Sequence, residues 1–140
     1  LEAHTDTLGG MAAEVKSNGR LRITPLGGMN ACNAETENVR IYTRSGKIYE
    51  GALQLCNASI HVNGDFSTAS RTWDSVEIVI DEDVKTDEDT RKLGIETGDI
   101  VCFEPRTRRT ESGYLKADSL MISSLWAYCS VLQNILKTTV

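Results

Sequence analysis

The chain has few aromatic residues and little proline, and it lacks an excess of positive charge. Aromatic side chains make up 6% of the 140 residues and proline occurs twice, which argues against proline-rich linkers and against aromatic platforms for stacking bases. The formal net charge is −5 at pH 7, whereas a protein that grips nucleic-acid phosphates needs a basic face. With 40% hydrophobic and 25% charged residues, the composition is that of a folded domain, and we expect no nucleic-acid partner.

The cysteines give no sign of a metal-binding or redox pair. Cys32, Cys56, Cys102 and Cys129 are far apart, without a Cys-x-x-Cys motif. The first residues also lack the basic and apolar regions of a signal peptide. We therefore expect reduced and mostly buried thiols and a cytoplasmic location.

Most of the chain alternates between apolar and polar residues in short runs separated by turn signals, which is typical of antiparallel strands. In the first run, residues 11–16, Met11, Ala13 and Val15 share a face, and Asn18-Gly19 favours a type I′ hairpin turn. Further strands are predicted at residues 20–24, 39–42, 48–55, 58–62 and 76–81. Strands this closely spaced predict a small antiparallel barrel or sandwich.

One short helix interrupts the strands. Thr86 and Asp89 have the spacing of a capping box, and Gly94 occupies a position where helices commonly end. The acidic residues between 81 and 89 lack the oxygen spacing of an EF-hand loop. We therefore expect a solvated loop and helix start there rather than a calcium site.

Residues 119–136 carry no charge and fit a second helix, capped by Asp118 or Ser119. Its length alone would permit a membrane span. The polar residues within it favour instead a helix buried in protein or in an interface, and we expect no membrane partner. These residues are Ser123, Ser124, Ser130, Gln133 and Asn134.

His4 and Asp6 are the most informative polar residues. Side chains two positions apart in a strand point to the same face, so the carboxylate can lie beside the imidazole. A metal-binding imidazole usually donates its second N–H to an oxygen, which fixes its orientation. A surface ion pair is the alternative, and the pair alone favours it.

Other candidates have weaker support. We expect His61 to be packed or hydrogen-bonded within an apolar strand rather than to bind a metal. Glu35, Glu37 and Glu104 could suggest the carboxylate pair of a glycosidase, but the sequence does not fix their separation. No base is placed near the cysteines that would make one of them a nucleophile.

Several segments resemble the M42 family of metallo-aminopeptidases, in the order in which that family has them. His4-Thr5-Asp6-Thr7-Leu8-Gly9 resembles its first metal-ligand motif. The similarity continues to residue 116 through Lys16-Ser17-Asn18-Gly19-Arg20-Leu21, Asn57-Ala58-Ser59-Ile60-His61-Val62, Lys92-Leu93-Gly94-Ile95-Glu96-Thr97-Gly98-Asp99 and Glu111-Ser112-Gly113-Tyr114-Leu115-Lys116. Relatives of this family sometimes carry the name endoglucanase.

The resemblance implies an α/β catalytic domain interrupted by an inserted, PDZ-like β-barrel that is used in dimerisation. Residues 1–8 would then be a catalytic-domain stub that carries His-x-Asp. Residues 9–115 would be the mainly β insert, an antiparallel barrel with one short helix. Residues 116–140 would be a second stub, consisting of the apolar C-terminal helix.

The resemblance also implies a peptide substrate and two divalent ions, zinc or cobalt, which polarise the peptide carbonyl and activate water. His4 would be a metal ligand and Asp6 its orienting partner. Met121 and Ile122, which cannot bind a hard divalent ion, stand where the family has carboxylates, and Asp118 is displaced from that motif. We therefore expect a chain that is inactive alone. The alternative is a non-catalytic, self-associating β module, and we expect a homo-oligomer.

Overall fold

The structure, a computed structural model, describes residues 8–116. The predicted strand at His4 and the predicted helix over residues 119–136 lie outside the described residues. Leu8–Glu104 form one compact unit, and the described residues 105–116 lie outside it. The described elements are, in order, β1 (Gly9–Val15), β2 (Leu21–Leu26), α1 (Ala31–Ala34), β3 (Asn38–Tyr42), β4 (Ile48–Leu55), β5 (Val76–Ile80), α2 (Asp87–Lys92), β6 (Ile100–Phe103), β7 (Arg108–Arg109) and β8 (Leu115–Lys116).

Six of these strands close into an antiparallel barrel in the order β1-β2-β5-β4-β3-β6. This confirms the predicted fold class, a mainly β chain built on a small antiparallel barrel. Alternate side chains of a closed sheet face inward and fill its interior. Apart from Glu77 on β5, the large fully buried residues of the strands are accordingly aliphatic and include Leu21, Ile23, Val39, Ile41, Leu53, Ile78 and Val101.

The barrel is not paired evenly around its circumference. β3 and β4 form a ladder of five residue pairs, and β4 and β5 form another five. Between β2 and β5 the pairing consists of one residue pair, Leu21 with Ile78. We call this place the seam.

The structure corrects the prediction for β1 and its turn. A bulge between Ala12 and Glu14 shifts the register, so Ala12 and Val15 are buried instead of Met11, Ala13 and Val15 sharing the inner face. The turn is not type I′, because that type requires positive φ at both central residues. Gly19 has a φ of 80°, whereas Asn18 is not among the described residues with positive φ.

The predicted strand at 58–62 is also wrong, because these residues form turns in the connection between β4 and β5. Backbone amides of Val62 and Asn63 donate to the Ser59 carbonyl, and no neighbouring strand is paired with the segment. A second short helix, α1, was not expected. Asn30 caps it by accepting a hydrogen bond from the Cys32 amide.

Helix α2 follows the prediction. The Thr86 hydroxyl accepts from the Asp89 amide, and the Asp89 carboxylate accepts from the Thr86 amide, which completes the capping box. Gly94 follows the helix with a φ of 89°, the left-handed conformation that glycine adopts most easily. Among residues 8–116, no helix is long and apolar enough to cross a membrane.

Candidate functional site

The sequence-predicted metal site lies outside the described residues, since His4, Asp6, Asp118, Met121 and Ile122 all fall there. Within residues 8–116, no group of three or more His, Cys, Asp or Glu side chains is placed to hold a metal ion. The barrel therefore does not supply the ligand set that the resemblance implies. The roles of His4 and Asp6 remain predictions.

The most elaborate polar arrangement in the described part is the Glu77 cluster, which comprises Glu77, Lys16, Arg20 and Cys56. The side chain of Glu77 on β5 is 1% exposed. One carboxylate oxygen accepts from Lys16 Nζ at 2.5 Å, and the other accepts from Arg20 Nη1 at 2.6 Å. A buried carboxylate requires such partners, because burial of an unpaired charge is very costly.

The ion pairs determine the protonation state of the cluster. Burial alone would raise the pKa of Glu77, but the hydrogen bonds from Lys16 and Arg20 outweigh it and the pKa is lowered. The hydrogen bond to Glu77 raises the pKa of Lys16, against the opposing effect of burial. Both groups are therefore charged at neutral pH, and the cluster is an ionic clamp.

The clamp lies at the seam. Lys16 and Arg20 flank the turn that joins β1 to β2, while Glu77 lies on β5, next to Ile78 of the single β2–β5 pair. Gly19 in this turn is tightly enclosed: its carbonyl accepts from the buried Thr90 hydroxyl at 2.7 Å, and an added Cβ would lie 3.1 Å from the Thr86 carbonyl oxygen. The Lys16–Leu21 motif therefore has a structural role in closing the barrel.

Sequence reasoning missed this cluster. The alternation in β5 indicated that Glu77 would face away from the core, whereas it is buried under two cations that are 61 and 57 positions earlier in the chain. Two features of the sequence were available as signals: a pair of cations on either side of the Asn18-Gly19 turn, and a lone acid in the otherwise apolar strand β5.

Cys56 completes the cluster. Its Sγ lies 3.6 Å from Lys16 Nζ, and partial desolvation of the sulfur together with the charge of Glu77 raises the pKa of its thiol. The expectation of mostly buried thiols is wrong for the described cysteines, since Cys32 and Cys56 are exposed and Cys102 is half-buried. All three are free.

The structure also describes the histidine and two of the glutamates that the sequence offered as weaker candidates. His61 is exposed in a turn, which corrects its assignment to an apolar strand. Glu35 is paired with Arg71 at 2.9 Å and Glu104 with Arg40 at 3.1 Å. These ion pairs give both carboxylates structural partners, and they do not support the glycosidase alternative.

One outer face of the barrel is apolar. Tyr42 is paired with Ile48 on one side and with Ile100 on the other, and Ile100 is paired with Met11. Directly paired residues point to the same face of a sheet, so the four side chains form a continuous row across four strands. Tyr42, Ile48 and Ile100 are 38%, 53% and 42% exposed. We call these four side chains the Tyr42 row. Arg40 lies two residues before Tyr42 on β3, and its ion pair with Glu104 borders the row.

Comparison with known proteins defines the class to which this barrel belongs. The family model of the M42 glutamyl aminopeptidases matches residues 1–126. The chain is thus part of a peptidase lineage, and it belongs to the M42 family. It is 43% identical over 120 residues to YhfE of Bacillus subtilis.

Solved structures show the same fold. The chain resembles an aminopeptidase from Desulfurococcus kamchatkensis with a TM-score of 0.65 and 25% identity, over 78% of this chain and 28% of that one. It also resembles the TET1 peptidase of Pyrococcus horikoshii with a TM-score of 0.66 and 22% identity, over 84% of this chain and 34% of that one. The alignment with YhfE covers 86% of this chain and 35% of YhfE. The chain therefore spans about a third of the length of the relatives it matches.

Proposed function

We propose that this chain is the barrel-bearing part of a metal-dependent aminopeptidase that removes N-terminal residues from peptides. The observation that carries the proposal is the family match over residues 1–126, an interval that includes His4 and Asp6. In this proposal His4 is a ligand of one of two divalent ions, zinc or cobalt, and Asp6 accepts the second imidazole N–H and orients the ring. Peptide is the substrate class, and the barrel is the insert of residues 9–115.

We further propose that the 140-residue chain is inactive by itself. His4 is the one metal ligand that the motif comparison identifies, and Met121 and Ile122 occupy the positions of the carboxylates that would bridge the ions. Thioether and alkyl side chains are unsuitable ligands for a hard divalent ion. A dinuclear site therefore needs ligands that these residues do not provide.

Metal content and activity test both statements on the purified chain. We expect fewer than two bound cobalt or zinc ions per chain by elemental analysis and no hydrolysis of aminoacyl anilides. His4→Ala should lower the residual binding, and His61→Ala is the matched control, because His61 is exposed and outside the proposed site. Two tightly bound ions with cobalt-stimulated release would overturn the inactivity, and unchanged binding in His4→Ala would overturn the ligand assignment.

A second candidate function, a self-associating β module, is favoured by the Tyr42 row. Contiguous apolar patches rimmed by polar groups commonly mark interaction surfaces, and this row is flanked by the Arg40–Glu104 pair. The TET1 peptidase of Pyrococcus horikoshii, which shares the fold, assembles into a tetrahedron or a large octahedral shell. We propose that copies of this chain associate through the row, whereas the sequence alone indicated the apolar helix over residues 119–136, with Trp126 in the interface.

Light scattering on point variants distinguishes the two surfaces. We expect the parent chain to form a dimer or larger assembly at micromolar concentration, and Tyr42→Lys to weaken it. Val62→Lys is the matched control, because Val62 is 83% exposed in a loop away from the strands. An assembly that persists in Tyr42→Lys but dissociates in Trp126→Lys would assign the interface to the helix instead.

We propose a cytoplasmic location as well. The support is that Cys32, Cys56 and Cys102 are free, two of them being exposed, and exposed thiols persist in reducing compartments. Localisation of a tagged chain by fractionation tests this directly.

A further inference from the structure

We infer that Cys56 and Lys16 form a redox-modification site, in which a peroxide converts the Glu77 cluster from an ionic clamp to a covalent sulfur–nitrogen bridge. The observation is the position of a primary amine beside an exposed thiol: Lys16 Nζ lies 3.6 Å from Cys56 Sγ. Lys16 follows β1 and Cys56 follows β4, so the bridge would join two parts of the barrel that are 40 positions apart.

The accessibility of the cluster suits this chemistry. Cys56 is exposed and the Lys16 side chain is 30% exposed, so a small peroxide can reach the sulfur. Lys16 is held in place at its tip, because Nζ also donates to the buried Glu77 carboxylate. The lysine side chain has a flexible stem of four carbons, so its movement alone can close the remaining distance between Nζ and the Cys56 sulfur.

The reaction has two balanced steps. First, the Cys56 sulfur attacks a peroxide oxygen; the S–O bond forms, the O–O bond breaks, and the thiol proton leaves with the departing oxygen as water. The sulfur is oxidised by two electrons to a sulfenic acid and the peroxide is reduced. Then the Lys16 nitrogen attacks that sulfur; the N–S bond forms, the S–O bond breaks, and the hydroxyl departs with a proton as a second water.

The second step requires a neutral amine, because an ammonium group has no lone pair and cannot attack. The pKa of Lys16 is raised and that of Glu77 is lowered, so the carboxylate is too weak a base to take this proton, and hydroxide takes it at alkaline pH. Glu77 accepts the hydrogen bond from the nitrogen and holds it near the sulfur, while Arg20 continues to balance the charge of Glu77. Sulfenic acids are known to condense with a backbone nitrogen to a sulfenamide, and thiols cleave the resulting sulfur–nitrogen bond.

The experiment uses the full chain with Cys32, Cys102 and Cys129 changed to serine, so that no disulfide can form within a molecule. It is treated with hydrogen peroxide at mildly alkaline pH, because the raised pKa of Cys56 makes the thiolate scarce at neutral pH. We expect an intact mass about 2 Da below that of the reduced chain, as for loss of two hydrogens. Peptide mapping should link Lys16 to Cys56, and dithiothreitol should reverse the change.

Two control chains make the result decisive. Lys16→Arg keeps a cation beside Glu77 but removes the amine, so Cys56 should accumulate as a sulfenic acid that dimedone labels, without the bridge. A chain that retains Cys32 as its one cysteine should also give a dimedone adduct and no bridge, since Cys32 is exposed and has no lysine among its described hydrogen-bond partners. Dimedone labelling of Cys56 in the parent to the same extent as in Lys16→Arg, with no Lys16-linked peptide, would overturn the inference.

Discussion

The two sides of this barrel are held together by different forces. On one side, β3, β4 and β5 form two continuous ladders in which every residue of β3 and β5 has a partner on β4. On the other side, β2 and β5 share one residue pair, and the closure is completed by Lys16 and Arg20 on the buried Glu77. The first side is closed by hydrogen-bonded ladders over an apolar core, and the seam is closed by ion pairs. From this comparison we expect low pH, or substitutions that remove a charge, to destabilise the seam. Substitutions that leave a cavity in the core should destabilise the whole barrel.

The largest effect should come from the ladder side. Leu53 in β4 is 0% exposed, and Leu53→Ala removes buried methyl groups and leaves a cavity. We expect the free energy of unfolding to fall by about 2–5 kcal/mol, measured by urea denaturation monitored by circular dichroism. Leu26→Ala is the matched control, because Leu26 at the end of β2 is 42% exposed. A loss no greater than that of the control would contradict the assignment of the core.

Glu77→Gln should have the next largest effect, and a local one. The substitution preserves the size of the side chain but removes the charge that pairs Lys16 and Arg20, and charged hydrogen bonds contribute about 1.5–3 kcal/mol. The lower part of this range applies, since the two cations are 30% and 35% exposed and water screens them. Hydrogen exchange should quicken at the amides of β2 and β5 more than at those of β3.

Glu14→Gln is the control for that experiment. Glu14 is also paired with an arginine, Arg22, at 2.9 Å, but its side chain is 53% exposed, so its loss should change stability little. Uniformly faster exchange around the barrel in Glu77→Gln would show that the seam does not open separately.

The ladder side is also the part that the sequence predicted well. Alternation such as Val39 and Ile41 against Arg40 and Tyr42 reflects one inner and one outer face, and the local pattern suffices where both neighbouring strands continue alongside. It fails where pairing is interrupted. Ile60 and Val62 alternate like strand residues, but lacking a neighbouring strand they form turns and are 63% and 83% exposed.

The candidate site was less predictable for a similar reason. The burial of Glu77 depends on Lys16 and Arg20, which local periodicity cannot relate to β5 because they are about 60 positions away. The bulge in β1 adds one residue to the strand, so residues on either side of it point to opposite faces from those that simple alternation predicts. His4 and Asp6 were identified through a motif, and their geometry remains a prediction.

The seam should also respond to pH. The pKa of Glu77 is lowered in the folded chain, so the stability it contributes is present above its unfolded pKa and is lost as the pH falls through the folded value. The pKa of Lys16 is raised, so its contribution is present below its unfolded pKa of 10.5 and is lost as the pH rises through the folded value. Stability should therefore have a plateau between these limits.

Urea denaturation from about pH 7 down to about pH 3 measures the acid limb. The parent should lose more stability over this range than Glu77→Gln, which has no proton to gain at that position. Equal acid slopes in the two chains would mean that other carboxylates account for the loss.

The smallest effect should come from the cap of α2, which lies beside the turn of the seam without belonging to the clamp. The Thr86 hydroxyl accepts from the Asp89 amide, and its loss in Thr86→Ala leaves that donor without its capping partner. We expect a decrease of about 1 kcal/mol in the free energy of unfolding, with Thr86→Ser as the control that keeps the hydroxyl. Because Thr90 of the same helix donates to the Gly19 carbonyl, fraying of α2 should also quicken hydrogen exchange at Gly19 before it affects Ile78 on β5. Faster exchange at both positions together would show that the helix and the clamp act as one unit.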